Sequence, residues 1–337
     1  MKAAKKHQLR AGICFNLKRN INNDSEEEYD EIETIEFLKE RLESFGFEVL
    51  LVDQDENLFN KLYTGSLDFA LNIAEGKGKT RSRESQVPCI LEWLNIPYYG
   101  SDPVSLAITL DKWLTYIVLK NAAIPVPQMH TVENISQMQE LSISFGQSKY
   151  IVKPRWEGSS KGIFNDSVVS SIDKCRDKVK YIINTYNQPA LIEEFVEQDE
   201  ITVGVCGNET VEILGMMKIS QYEACKDFVY SIENKRDWRL RIKYECAESV
   251  IQEKILKQLK QYAIAAFKVL GLRDVARIDF RVDNAGIPKI IDVNPLPGLS
   301  PKYSDLMLMS KLHNQKFVDV IDKILTISLK RNKINPR

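Results

Sequence analysis

Hydrophobic positions along this chain recur with two periods. A run from Leu9 to Leu17 reads as a strand. After the polar linker NINNDSEEE, apolar residues return at Tyr29, Ile32, Ile35, Leu38, Leu42 and Phe45, the spacing of one helix face, and Gly46 stops that helix. Two strands follow, Phe47 to Val52 and Leu67 to Ile73. This β-α-β opening predicts a parallel sheet. Residues 74–100, AEGKGKTRSRESQVPCILEWLNIPYYG, read as a polar loop, a short apolar helix and a proline-bounded edge. One helix is predicted from Pro103 to Ala123, with Leu106, Leu110, Leu114 and Ile117 on one side and Lys112 elsewhere. The IPVP after it is a break and a linker into a second unit.

In that unit Tyr150 to Pro154 is a strand and GSSKG a loop. The loop can offer backbone N–H groups and the hydroxyls of Ser159 and Ser160 to phosphate oxygens, with Lys153 as the accompanying cation, or it can be a plain hairpin turn. Further on, ALIEEFVEQDE places Phe195 and Val196 between Glu193, Glu194 and Glu200. That pattern suits an adenine slot with a carboxylate for the ribose hydroxyls, or a polar connection between strands. A third unit opens with the next strand and includes VYSIENKRDW. It continues through a helix from Ser249 to Leu270 and ends in a helix from about Phe317 to Leu329.

The densest chemistry lies in VARIDFRVDNAGIPKIIDVNPLPGLS, which begins at Val275. Ile278, Phe280 and Val282 alternate with Arg277, Asp279 and Arg281, so one strand face is apolar and the other charged. DNAG signals a turn, after which Ile291 and Val293 point one way and Ile290, Asp292 and Asn294 the other. A symmetric hairpin about Asn284-Ala285 sets residue 279 opposite 290 and 277 opposite 292. Asp279 and Asp292 are then diagonal neighbours, with Asn294 one step along. Two carboxylates and an amide oxygen form an oxygen-only site suited to Mg²⁺. Arg277 beside them is a permanent cation able to stabilise charge on a reacting carbonyl or phosphoryl group.

Composition narrows the classes. With 337 residues there is room for two or three units, and 46 basic against 47 acidic residues give no bulk charge for nucleic acid or an anionic membrane. No run of about eighteen apolar residues occurs, and the N-terminal lysines precede no apolar signal segment, so the chain is read as cytoplasmic. Cys14, Cys89, Cys175, Cys206, Cys225 and Cys246 form no CxxC pair and are expected as free buried thiols. His7, His130 and His313 are equally scattered, which gives little support to zinc chemistry or a histidine triad. No GxGxxG follows the first strand, and GKGKT has Ile73 where a P-loop needs glycine. Glu75, Arg83 and Glu84 sit in a polar loop and either line a cleft or face solvent.

Taken in order, a lysine on a helix, IVKP with a GSS loop, IEEF, RIDF and DVNPLPG resemble the ATP-grasp superfamily, and within it the D-alanine:D-alanine ligase family. IPYYGSDPVSLAITLDK is similar to that family's junction between first and second domains, so nearly the whole chain is covered. The resemblance implies an α/β (α+β) three-domain ATP-grasp fold. An N-terminal Rossmann-like parallel-sheet domain (1–100) precedes a central subdomain (101–193) and a C-terminal subdomain with the metal site (194–337), with ATP held between the last two. It also implies an acyl phosphate, formed from a carboxylate and the γ-phosphate of ATP and then attacked by an amine. By the same resemblance Lys112 and Lys153 hold ATP phosphates, Glu157 to Gly162 is the mobile serine loop, and Ser159 takes part in catalysis. Glu193 to Val196 is the adenine hinge, Glu200 the ribose carboxylate, and Lys235 a further phosphate or substrate lysine with a catalytic part. Arg277 stabilises the tetrahedral intermediate. Asp279, Asp292 and Asn294 bind Mg²⁺, two ions with Mn²⁺ as the alternative, although the family more often has glutamate where Asp292 stands. Phosphoryl transfer rests on such positioning and charge neutralisation, and an acyl phosphate must be kept from water.

The departures concern the substrate. The family opens with a glycine pair and a serine- and glutamate-containing motif that binds the first amino acid, whereas FNLKRNINNDSEEE stands here and the recogniser is read as missing. Arg236 replaces a common tyrosine and either meets an extra carboxylate or faces solvent. Tyr303 and Ser304 align roughly with the family's serine-leucine pair, and with Glu75 and Gly298 they complete the expected substrate side. The substrates are therefore small amino acids whose identity stays open: D-alanyl-D-alanine is one product, a dipeptide or amide of a specialised pathway another. The alternative from a different class is a catalytically silent nucleotide-binding sensor or scaffold. The family analogy also suggests a homodimer.

Overall fold

A computed structural model describes residues 8–20, 26–139, 143, 145–146, 148–222 and 227–335. In the first unit β1 (Arg10–Phe15), α1 (Ile32–Ser44), β2 (Glu48–Asp53), α2 (Leu58–Thr64), β3 (Phe69–Asn72), α3 (Gln86–Trp93) and β4 (Tyr98–Tyr99) build a wholly parallel sheet of order β2-β1-β3-β4. Buried Ile35, Leu38 and Leu42 of α1 pack on one face, as their helical spacing predicts. The strand order reverses between β1 and β3, so the loops leaving their carboxyl ends open onto a natural ligand crevice. Asn16, just past β1, pins the second of those loops by accepting hydrogen bonds from the backbone N–H of Glu75 (2.9 Å) and Gly76 (3.1 Å).

The single helix expected over 103–123 is two, α4 (Pro103–Leu110) and α5 (Lys112–Asn121). Asp111 separates them with an extended backbone and caps α5 by accepting from the Leu114 N–H at 3.2 Å. Its carboxylate is also held by Arg155 at 2.6 and 2.8 Å, so the break is fixed from outside the helix and sets Lys112 at the first position of α5. Ile117 consequently leaves the expected apolar side and is exposed.

The second unit pairs β5 (Met129–Val132), β6 (Tyr150–Pro154), β7 (Val168–Val169) and β8 (Ala190–Glu194) antiparallel in the order β5-β8-β6-β7, with α6 (Ile172–Tyr186) packed on one face. The division expected after residue 193 falls inside β8, which runs one residue further. The third unit carries β9 (Glu200–Gly207), β10 (Val211–Gln221), α7 (Ile232–Arg236), α8 (Trp238–Arg241), β11 (Ile242–Cys246), α9 (Ala247–Val250), α10 (Glu253–Val269), β12 (Asp274–Val282), β13 (Pro288–Asn294), α11 (Asp305–Leu312) and α12 (Phe317–Arg331). Its antiparallel sheet has the order β11-β10-β9-β12-β13. The helix expected from Ser249 is broken where Val250 and Ile251, two β-branched residues, meet. α10 covers one sheet face with Leu259, Ala263, Ala266 and Phe267, whereas α12 reaches back into the core of the first unit. Buried Asp274 locks that junction, accepting from Arg331 at 2.7 and 2.9 Å and from the Gly100 N–H at 2.9 Å.

The hairpin differs from the symmetric expectation. Val282 pairs with Pro288 across a turn held by Asp283, whose Oδ1 accepts from the N–H groups of Ala285 (3.0 Å) and Ile287 (2.9 Å). A bulge at Ile291 then shifts the register, so Asp279 lies directly opposite Asp292 and Arg277 opposite Asn294. The bulge also reverses the facing of Ile290, which joins Val293 in the core. Nor is the charged face solvated: Asp279 and Arg281 are each 4 % exposed. Cys89 is exposed, contrary to the expectation of buried thiols, and Cys225 and His7 lie outside the described residues. No helix among the described residues is long and apolar enough to cross a membrane.

Candidate active site

A cavity of about 470 Å³ opens where the three units meet, and a narrower slot of about 70 Å³ adjoins it between the second and third sheets. Lys112, Glu157, Ser159, Lys235, Arg277, Asp292 and Asn294 border both.

The hairpin forms one wall. Asp279 accepts from Thr202 Oγ1 (2.8 Å), Asn294 Nδ2 (3.0 Å) and the Arg277 guanidinium (3.0 Å from Nη2), whose other end pairs with Asp305 at 2.6 Å. Asn294 gives its amide nitrogen to Asp279, and its Oδ1 accepts no hydrogen bond among the described residues. Asp292 lies 3.2 Å from Lys112 Nζ, which also donates to the Glu157 carbonyl at 2.8 Å. Burial pushes the Asp292 carboxyl up, but Lys112, Lys153 and Arg277 outweigh it and hold it below the usual carboxylate range. Arg277 is likewise disfavoured by burial and restored by Asp279 and Asp305, so it stays charged.

The bulge does further work, because the Ile291 carbonyl turns toward the second unit. It accepts from Tyr116 Oη and, at 3.3 Å, from Lys153 Nζ. Lys153 pairs in turn with Glu193 at 2.7 Å, and the same carboxylate lies 2.7 Å from Tyr116 Oη, whose single proton is shared between it and the Ile291 carbonyl. Lys153, held by Glu193 (3 % exposed), thus ties the second sheet to the third at the edge of the slot. Phe195 and Val196 border the slot with Ile151, Ile163 and Val229, an apolar lining. Arg281 fixes that segment, donating to the Val196 carbonyl at 3.0 Å and lying over the Phe195 ring at 5.0 Å. Glu200 also borders the slot, and burial raises its carboxyl to about 7. Glu194 is the exception. Strand alternation turns it to the opposite face, where it pairs with Lys289 at 3.4 Å, and its side chain is not brought into the slot.

Ser159 and Ser160 both hold left-handed backbone conformations (φ 47° and 59°), and Ser160 Oγ donates to the Tyr230 carbonyl at 2.7 Å. Gly162 (φ 76°) allows the loop to fold against the second sheet, since a side chain there would meet Pro154 Cγ at 2.4 Å. Lys235 stands over the Tyr230 ring at 4.8 Å, and burial with the neighbouring Arg277 lowers its pKa. Arg236 ends α7, and its side chain lies outside the described residues.

The first unit supplies the opposite wall. Glu75, Arg83 and Glu84, left open between cleft and solvent, are turned inward: Arg83 is 3 % and Glu84 7 % exposed. Glu84 accepts no hydrogen bond among the described residues. The linker after β1, where a recogniser is read as missing, delivers Glu27, Glu28, Tyr29 and Asp30 to the cavity. Glu28 pairs with Arg83 at 2.9 Å and accepts from the Gly158 N–H at 2.8 Å, tying this wall to the serine loop. The sequence does not single out Glu27, Glu28 and Asp30, and Tyr29, expected on the face of the first helix, precedes α1 and lines this wall instead. Yet a glutamate run beyond the carboxyl end of the first parallel strand marks the place where such sheets bind ligands. Burial raises Asp30 to about 7, Glu84 to about 8 and Glu75 well above the usual range. At the floor, Gly298, Tyr303 and Ser304 border the cavity. Ser304 caps α11, accepting from the Met307 N–H at 3.2 Å and donating to the Ser300 carbonyl at 2.6 Å, and so aims Asp305 at Arg277.

A family model described as D-ala D-ala ligase C-terminus matches residues 118–326. A D-alanine--D-alanine ligase of Aquifex aeolicus is 30 % identical, covering 85 % of this chain and 91 % of its own length, and an uncharacterized protein of Sinorhizobium fredii is 29 % identical, covering 86 % and 85 %. Among solved structures, the Bacillus anthracis D-alanine--D-alanine ligase complexed with ATP matches with a TM-score of 0.73 at 21 % identity, covering 97 % of this chain and 99 % of that one. The VanG D-Ala:D-Ser ligase of Enterococcus faecalis matches with a TM-score of 0.72 at 17 % identity, covering 96 % and 100 %.

Proposed function

Because the chain belongs to the D-ala D-ala ligase family, we propose that it uses ATP and Mg²⁺ to join the carboxyl group of one small amino acid to the amine of another through an acyl phosphate. The observation that carries this reading is the meeting of Lys112, Lys153 and Arg277 with Asp279, Asp292 and Asn294 around one slot between two sheets. In the first step a substrate carboxylate oxygen bonds to the γ-phosphorus and the bond to ADP breaks. In the second the amine attacks the acyl carbon, loses a proton and expels phosphate.

Lys112 and Lys153 are assigned to the phosphates, the apolar lining at Phe195 and Val196 to the adenine, and Glu200 to the ribose hydroxyls. The donor set fits a hard cation, since two carboxylates lie opposite each other across the strand pair with the Asn294 side-chain amide beside them. Mg²⁺ held by Asp279, Asp292 and Asn294 would neutralise polyphosphate charge. Arg277, fixed at both ends by carboxylates, is placed to stabilise negative charge on the acyl oxygen, with Lys235 as a second cation. The loop from Glu157 to Gly162, with Ser159 and Ser160, covers the intermediate and excludes water. Glu75, Gly298, Tyr303 and Ser304 border the substrate side, and the acidic wall receives the ammonium group of an amino acid. Residues 1–100, 101–193 and 194–337 are taken as the working units, with β8 running one residue across the second boundary.

The test is to give the full-length chain ATP, Mg²⁺ and pairs drawn from D- and L-amino acids, following phosphate release and product mass. One ADP and one phosphate per new amide bond are expected, the product weighing one water less than the pair. Tight ATP binding without phosphate release for any pair would instead identify a nucleotide-binding sensor.

A further inference from the structure

On the side of the third unit away from the slot, three side chains from separate elements converge: Cys246 at the end of β11, Glu248 in α9 and His313 at the C-terminal cap of α11. Cys246 Sγ lies 3.7 Å from His313 Nε2 and 3.4 Å from Glu248 Oε2, and the last two atoms are 3.1 Å apart. We propose that this cluster is a zinc-binding site.

The orientation of the histidine carries the argument. His313 Nδ1 lies 2.8 Å from the Met309 carbonyl, which can only accept, so Nδ1 bears a proton and Nε2 is the ring atom that faces the thiol and the carboxylate. Nε2 and a carboxylate oxygen 3.1 Å apart need a proton or a metal ion between them, and Nε2 is the ring atom free to take the ion. A tetrahedral zinc ion with ordinary bond lengths requires ligand separations of about 3.6 Å for sulfur–nitrogen, about 3.6 Å for sulfur–oxygen and about 3.4 Å for nitrogen–oxygen. The three observed edges lie within a few tenths of an ångström of these. One thiolate, one imidazole and one carboxylate suit zinc and disfavour Mg²⁺, which takes oxygen. Glu248 is exposed, leaving the fourth position to water.

The backbone is shaped for the ring. A Cβ on Gly215 would stand 3.0 Å from both His313 Cε1 and Nδ1 and 2.9 Å from Met309 Cγ, so glycine on β10 makes the room in which the imidazole lies. The sheet register shifts at this same position. On binding, the Cys246 thiol releases its proton to solvent, and the ion ties β11 and α9 to the end of α11. The other end of α11 presents Asp305 to Arg277, so the ion would brace the helix that steadies the active-site arginine.

The experiment titrates the metal-stripped full-length chain with Co²⁺ alone, then with Zn²⁺, in the unaltered protein and in Cys246→Ser, His313→Gln and Asp292→Asn. One equivalent of Co²⁺ is expected to give a thiolate-to-cobalt charge-transfer band with strong visible bands of a four-coordinate ion, both erased by Zn²⁺. The signal should vanish in Cys246→Ser, weaken in His313→Gln and persist in Asp292→Asn. Zn²⁺ should raise the melting temperature of the unaltered chain and leave that of Cys246→Ser unmoved. Absence of the band at saturating Co²⁺ would overturn the site. So would an undiminished band in Cys246→Ser, which would assign it to another thiol such as the exposed Cys89. Should Cys246→Ser fail to fold, His313→Gln decides by the same band.

Discussion

On the hairpin wall of the cleft, Asp279 lies against the Arg277 guanidinium and Asp292 against the Lys112 ammonium. Across the cavity burial raises the carboxyls of Glu84, Glu75 and Asp30 as it does that of Asp292, but there no cation offsets it in full. The same functional group is thus held in opposite states: Asp292 is kept ionised below its usual range, and Glu84 is raised to about 8. A carboxylate whose desolvation is already compensated can receive a divalent cation and its phosphates. One that lacks compensation gains most from an incoming ammonium group. On the proposed function the cleft is polarised, with a phosphate end at the hairpin and an amine end at the first sheet.

The sharpest way to break this comparison is to remove a charge from the hairpin. Asp292→Ala should lower kcat by about 10³-fold, the scale of losing a group that stabilises transition-state charge, while the far-UV circular dichroism is unchanged. Steady-state phosphate release measures it, and activity near that of the unaltered chain would remove Asp292 from the metal site. Glu84→Gln acts on the other wall and should raise KM for the amino-acid substrates about 10-fold, the worth of a hydrogen bond to a charged group, with KM for ATP unchanged. Equal loss on both KM values would mean that the walls do not divide the labour.

Much of this was legible from residue order, for reasons local to the chain. Alternation in ARIDFRV marks a strand, helical spacing marks α1 from Ile32 on, and the carboxylates of the hairpin announce themselves by type. What escaped depends on partners distant in sequence. The break before Lys112 rests on Arg155, 44 positions from Asp111, and the direct opposition of Asp279 and Asp292 rests on a bulge whose carbonyl is claimed by Tyr116 and Lys153. The acidic wall was missed for a related reason. A glutamate in a polar loop has the composition of a solvated residue, and only the meeting of the loops after β1 and β3 turns Glu28 and Glu84 inward. The cysteine–histidine–glutamate cluster was equally hidden, since its members stand 65 and 67 positions from His313.

The smallest expected effect tests the comparison without turnover. Glu84 faces Arg83, Glu28, Lys112 and Asp292, and in the fold its carboxyl holds a proton up to about pH 8, against 4.5 when unfolded. Between those values the folded chain binds the extra proton, so this group's contribution to stability is complete below 4.5 and is lost as the pH rises through about 8. Asp292 has the opposite sign, its contribution being lost as the pH falls through its lowered value. Urea denaturation at pH 5 and pH 8 should therefore show a decline in the unaltered chain that Glu84→Gln reduces by on the order of 1–3 kcal/mol. The reduction measures how far the first-sheet wall is held uncharged. A pH dependence identical in the two proteins would mean that Glu84 is already ionised, and the contrast between the walls would then rest on Glu75 and Asp30 alone.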